Sequence, residues 1–416
     1  MHNNFKAFIL TIIFWLLILS SPLESLGIDI GYLDELMVIA FIPLSFSHSK
    51  KSVNINKIFI YLIIFIVISL TAFIYSEYYR GLALSILDIF LFLKPIIFII
   101  CFANLPYNAR SKFLIYVSRS SLLYIYSAFA FYFINIYYNI FDYYDNRFGF
   151  KSYAFIAANP GEFLNNLVLV GLAIYKNPNL FLRKTTLFIV GFLLITTLRF
   201  KAFVLFVGAT LLFTIFKKYN KKIFNNYNLR KANINVFFQK YKIQVYLILL
   251  IALIPGWTQF KNYFLTEPTP RLLLLQTSLE LGEKYFPFGI GPGTFGSAVA
   301  QLRYSPVYID QGFTEVYGLS GEGEVSFLND NFWPMVFAQY GLVGLILIVL
   351  IYIKLARWIF INLSIEKYNY EIFIVLILSL VISTFGSAIL IGPLGILYMM
   401  ILGAIIKDKN SRVCIY

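Results

Sequence analysis

The chain has 416 residues, of which 60% are hydrophobic and only 13% charged, and its mean hydropathy is +0.77. A soluble domain carries about twice that share of charge, so a soluble enzyme and a nucleic-acid-binding module are excluded despite the net charge of +14. Two cysteines (Cys101, Cys414) and two histidines (His2, His48) are too few and too scattered for a disulfide framework, a Cys- or His-ligated zinc or a His-based triad.

Apolar runs near 20 residues mark bilayer-crossing helices. Twelve are predicted, at about 6–23, 29–46, 57–75, 81–103, 113–135, 161–176, 185–198, 202–216, 243–259, 331–353, 371–389 and 391–406. The fold class is therefore all-α: a polytopic membrane protein of about 12 transmembrane helices, forming one integral membrane domain over 1–416. The first run follows Lys6 and lacks a small-x-small cleavage site, so it is read as an uncleaved span. The runs at 161–176, 185–198 and 202–216 are short and allow a tilted or re-entrant path. No fixed-period repeat is visible.

Lys and Arg set the orientation. Alternate connections hold Lys50 and Lys51, Arg110 and Lys112, Arg183 and Lys184, the basic run 217–242, Lys354 and Arg357, and Lys407, Lys409 and Arg412. The other connections hold most of the acids, among them Glu24, Asp29, Glu77, Asp142, Asp145, Glu267, Glu322, Glu324 and Asp330. Both termini are then cytoplasmic. The two largest outer loops are 136–160 and 261–330. The second, about 70 residues long, is a water-exposed structure of a size that usually serves a site.

Outer basic residues run against the positive-inside rule, and each calls for a reason: Arg80, Arg147, Lys151, Arg199, Lys201, Lys261, Arg271, Lys284 and Arg303. Arg147 lies in NRFGFKSYAFIAANPGEF, Arg199 sits between two short apolar runs in TTLRFKAF, and Arg271 opens RLLLLQTSLELGEKYF after two prolines. Guanidiniums converging on one cavity suit a phosphate, because their planar fork stays charged; snorkelling to headgroups or pairing with acids would equally explain each alone. Gly289, Gly291 and Gly293, in FPFGIGPGTFG, could form an amide nest for an anion or a tight turn. No P-loop lysine follows, so a nucleotide site is excluded. Asp330, just before an apolar run, reads as a general base or as a helix N-cap, with Glu322 and Glu324 as the next acidic candidates. Asp88 and Lys94 fall within the fourth apolar run and are expected to be charges buried in the bundle.

Arg147 with Asn159-Pro160-Gly161, then Arg199, Arg271, FPFGIGPGTFG and DNFWPMVFAQYGLVGL occur in an order that resembles the O-antigen polymerase and ligase superfamily. The resemblance covers roughly Arg147 to Leu350; the first five spans match in topology only. It implies a metal- and cofactor-independent, class-C-like glycosyltransferase of the bacterial cytoplasmic (inner) membrane, acting on polyprenyl diphosphate-linked glycans at the outer face. Arg147, Arg199 and Arg271 would bind diphosphate or acidic sugars. Membrane lipid, a chain-length regulator and a flippase are the accompanying partners. Core ligases usually carry a histidine before the span that Asp330 precedes, and its lack here favours polymerase over ligase. A flippase or other transporter is the rival class, and would usually show two similar halves and short loops.

Overall fold

The computed structural model describes residues 2–28, 30–46, 53–78, 81–138, 140–141, 145–147, 149–205, 208, 269–321, 327–364, 366 and 368–407. Helix dominates. The first group comprises α1 His2–Ile18, α2 Ser20–Ser25, α3 Leu33–Phe46, α4 Val53–Ile74, α5 Leu82–Ala103, α6 Tyr107–Tyr138, α7 Pro160–Lys176 and α8 Arg183–Thr196. The second comprises α9 Pro270–Lys284, α10 Ala298–Leu302, α11 Pro306–Asp310, a 3-10 turn Phe313–Glu315, α12 Phe332–Ile361, α13 Asn369–Thr384 and α14 Pro393–Ala404. Strands β1 Asn146–Arg147 and β2 Phe150–Lys151 pair as a short antiparallel hairpin.

The predicted apolar runs from 6–23 to 185–198 and from 331–353 onward fall on helices. The first is divided at Leu19 into α1 and α2. The run at 202–216 is helical over 200–205; most of its remainder, the run at 243–259 and the basic stretch 217–242 lie outside the described residues. Helices Leu82–Ala103, Tyr107–Tyr138 and Phe332–Ile361 are long and apolar enough to cross a membrane, and Asn3–Ile18, Ile58–Ile74, Asn369–Thr384 and Pro393–Ala404 are shorter apolar helices. Large apolar side chains such as Phe8, Ile63, Leu123, Phe188 and Ile346 stand exposed. That distribution suits lipid rather than water.

Connections predicted on one side of a bilayer meet one another. At one end, Lys176 pairs with Glu366, Tyr107 donates to the same carboxylate, and the Lys407 amide donates to Asn362 O at 2.7 Å. Buried Arg110 donates there to Leu105 O at 2.9 Å, Gly403 O at 2.5 Å and Ile406 O at 2.6 Å, capping the carbonyls that end α14. At the other end, Ser21 donates to Glu162 at 2.9 Å, the Tyr153 amide to Thr196 O at 3.1 Å, and the Ala388 amide to Asn329 O at 3.2 Å.

The described part of the large loop is folded. Leu274, Leu281, Ile290, Phe295, Val307, Tyr308 and Phe313 share a core distinct from that of the bundle. Caps fix its helices: Thr269 accepts the Leu272 amide at 3.3 Å with Pro270 at the first helical position, and Ser297 accepts the Ala300 amide at 3.2 Å. The Asn159-Pro160-Gly161 element is the same device on α7, where the Asn159 side chain accepts the Glu162 amide at 2.9 Å. The loop predicted at 136–160 starts only after Tyr138, because α6 continues that far.

Two expectations about buried charge are refined. Lys94 lies 2.5 Å from Asp34 on α3 and 2.5 Å from Glu35, while Asp88 accepts the Tyr340 hydroxyl at 3.0 Å. Each charge has its own partner on a neighbouring helix, which fits a bundle-holding role.

Candidate functional site

Four elements converge beside the folded loop. Leu198 takes a left-handed conformation (φ 50°) and turns the chain sharply between α8 and the helical stretch 200–205. Arg199 sits on that turn, and Lys201 lies in the first turn of the helical stretch that follows. The hairpin loop docks on the end of α8 through the Tyr153 amide, and this brings Asp145 Oδ2 to 3.6 Å from Arg199 Nη1. Asp145 is held in turn by Ser152, whose amide donates to Asp145 O at 2.8 Å and whose hydroxyl donates to its carboxylate.

Arg271 occupies the first turn of α9, where the helix dipole disfavours a cation. Its partner is Asp330: Nη2 and Nε reach Oδ2 at 2.8 and 3.3 Å, and Nη2 lies 3.4 Å from Gly386 O. Asp330 is not the cap of α12. Asn331 holds that position, makes no side-chain cap bond, and instead donates from its side-chain Nδ2 to Arg271 O at 3.0 Å. The capping reading of Asp330 is thereby corrected: an acid one residue earlier than the cap is directed across to α9. Burial pushes its carboxyl above the usual carboxylate range, against the pull of Arg271 and then of Arg199.

Lys201 completes the cluster. Its Nζ lies 3.5 Å from Asn165 Oδ1, which also accepts from Ser383 and Tyr398, each at 3.2 Å. Burial first, then the Arg199 and Arg271 guanidiniums, bring this ammonium down to about 7. Compared with known proteins, the chain matches no family model and no curated protein. The function must be read from the geometry and the residue pattern.

Of the residues singled out from sequence, the structure gathers Arg199, Arg271 and Asp330. The backbone of Arg147 lies in β1, two residues from Asp145, and its side chain is outside what is described. Glu322 and Glu324 also lie outside the described residues. Lys201 and Asp145 stood only among the outer charges. The available signal for Lys201 was a second basic residue two positions after Arg199 on the side that disfavours both; nothing in the sequence pointed from Asp145 to Arg199.

The glycines serve otherwise than as an anion nest. Helix α12 is broken at Gly341 (φ 62°, ψ −167°), which frees backbone groups that the glycine loop takes up. Ile290 and Gly291 amides donate to Ala338 O and Gln339 O at 2.8 and 3.0 Å, and the Val343 amide points to Pro287 O at 3.4 Å. The Gly289 amide donates to Tyr285 O at 2.9 Å and that of Gly293 to the Gln339 side chain at 3.3 Å. The amides of Gly289, Gly291 and Gly293 thus meet protein oxygens. All three glycines have positive φ, and a Cβ on Gly289 would stand 2.5 Å from Ala338 O. Here the motif splices the large loop onto a broken helix, an arrangement that satisfies the backbone where the helix cannot.

Proposed function

We propose that this protein is an integral membrane glycosyltransferase of the O-antigen polymerase type, joining polyprenyl diphosphate-linked repeat units into a surface polysaccharide. On this reading about twelve spans cross the bacterial inner membrane, both termini are cytoplasmic, and the Arg271 end faces outward. The observation that carries the proposal is that Arg199 and Arg271, drawn from distant parts of the chain to one end of the bundle, both act on Asp330, and that Lys201 lies within reach of the same two guanidiniums. Two guanidiniums and a lysine amine in a partly desolvated setting suit a diphosphate, and the pull of charge on it is stronger there than in water.

In the reaction, an acceptor hydroxyl oxygen bonds to the anomeric carbon of the donor sugar. The bond from that carbon to the diphosphate oxygen breaks, and its electron pair leaves with the diphosphate. The hydroxyl proton passes to Asp330. A carboxylate raised in basicity by burial is better matched to that task than an ordinary one. Both Arg271 contacts fall on Oδ2, which leaves Oδ1 to meet the hydroxyl. The guanidiniums of Arg271 and Arg199 take the charge that grows on the leaving group. Asp330 in place of the ligase histidine favours repeat-unit polymerisation over transfer to a lipid core.

The test is reconstitution of the purified protein with lipid-linked repeat units. A ladder of extended glycans is expected from the native protein and none from Arg271→Ala. Transfer of single units to a lipid core without extension would replace polymerase with ligase. Transbilayer movement of the lipid-linked unit with no new glycosidic bond would replace it with a flippase.

A further inference from the structure

We propose that the site takes up its anion together with a proton, and that the proton resides on the Lys201 amine; the anion class follows from the diphosphate reading above. Among the described residues, Arg199 has Asp145 and Arg271 has Asp330 as ion-pair partners, whereas no carboxylate lies within ion-pair distance of Lys201. The contact recorded for its Nζ is the neutral Asn165 oxygen, at the long limit of 3.5 Å and already shared with Ser383 and Tyr398.

The surroundings oppose a positive charge. Arg199 precedes Lys201 by two residues, and Arg271 acts on it from α9. The N-terminus of α7 is adjacent: a Cβ on Gly161 would lie 3.8 Å from Nζ, and helix N-termini carry partial positive charge. The described acids of the neighbourhood are engaged elsewhere, Asp145 with Arg199, Asp330 with Arg271, and Glu162 of α7 with Ser21. Tyr398 of α14 and Ser383 of α13 present hydroxyls to Asn165. With these neighbours the amine falls to about 7, so near neutrality a large share of it is uncharged. An anion with several negative charges, entering among Arg199, Lys201 and Arg271, reverses the local field and draws a proton onto Nζ. A lysine kept without a carboxylate is therefore a ligand whose charge arrives with the anion.

Sign follows from linkage. The anion binds the protonated amine, so its affinity weakens as pH rises, by up to about tenfold per unit above about 7. Arginine at the same position stays charged throughout. Full-length protein in phosphatidylcholine nanodiscs is titrated calorimetrically with inorganic pyrophosphate at about pH 8.5, in buffers of different ionisation enthalpy. The native protein is expected to take up close to one more proton per pyrophosphate than Lys201→Arg does, a difference that cancels the ligand's own ionisation. Lys201→Met is expected to bind about tenfold more weakly near pH 7 and to show no extra uptake.

Equal uptake by the native protein and Lys201→Arg, with pyrophosphate bound in both, overturns this proposal and leaves the glycosyltransferase reading standing. No binding to the native protein overturns both. Replacing the lipid with phosphatidylglycerol at high salt, where the surface potential is screened, is expected to leave pyrophosphate affinity unchanged. Competitive loss would give the site to a headgroup phosphate and overturn its assignment to a diphosphate.

Discussion

Arg271 and Asp330 show how a single contact changes the meaning of a residue. An acid ahead of an apolar helix suggests a cap, but here the carboxylate is bonded to a guanidinium on another helix. Arg271→Ala and Arg199→Ala are each expected to abolish chain extension at normal protein levels, and Arg271→Lys to restore it only in part, because the fork is lost. Full polymer length in the alanine variants, read on a glycan gel, would deny the charges a part in the reaction. Asp330→Asn keeps the shape and removes the charge, and turnover is expected to fall roughly 100-fold. A wild-type rate with purified lipid-linked units would remove Asp330 as base. Lys201 also predicts a pH effect on stability without ligand. Its amine is held below its unfolded value, so the unfolded chain binds more protons between about 7 and the usual lysine range. Stability therefore rises with pH through that window. The thermal midpoint of the native protein should climb from about pH 7 to about pH 9 relative to Lys201→Met; parallel curves would contradict the geometry.

Among the elements, α12 and the glycine loop form one unit. The break at Gly341 is stabilised only because the loop supplies donors and an acceptor to groups that the helix no longer pairs. Both partners need glycine: a Cβ on Gly341 would meet Pro287 O at 2.1 Å, and one on Gly289 would meet Ala338 O at 2.5 Å, each at positive φ. Gly289→Ala and Gly341→Ala are expected to lose about 3 kcal/mol or more, combining steric conflict with left-handed strain. Gly312→Ala also has positive φ, but nothing lies within 4 Å of its added carbon, so its cost should stay near 1 kcal/mol. Thermal midpoints of the three variants in detergent separate the two effects; equal losses would mean that the splice adds nothing to the strain.

For the whole molecule, the gathering of alternate connections at opposite ends makes the orientation testable with exposed positions. Tyr317 on the folded loop and Phe181 between α7 and α8 are 75% and 79% exposed. A cysteine at Tyr317 should react with a membrane-impermeant maleimide in intact cells, and one at Phe181 only after permeabilisation. The reverse pattern would invert the topology and remove the site from the face where lipid-linked repeat units are expected.

Apolar runs by themselves placed the described helices of the bundle, because in lipid a segment must satisfy its own backbone and twenty apolar residues can do so only as a helix. The distribution of Lys and Arg likewise drew attention to Arg199 and Arg271, since charge on the disfavoured side stands out in one dimension. Asn159-Pro160-Gly161 stood out in the sequence only through the resemblance, and its role as the cap of α7 appears in the structure. Pairing was not local. Among the described residues, Arg271 finds Asp330, Arg199 finds Asp145 and Lys201 finds Asn165, through contacts between segments far apart in the chain that no periodicity encodes. The glycine motif was open to reading as an anion nest or as a tight turn, because its sequence records only that the backbone must take positive φ. That its amides meet Ala338, Gln339 and Tyr285 was decided by the break at Gly341, a feature that exists only once the loop and α12 are packed together.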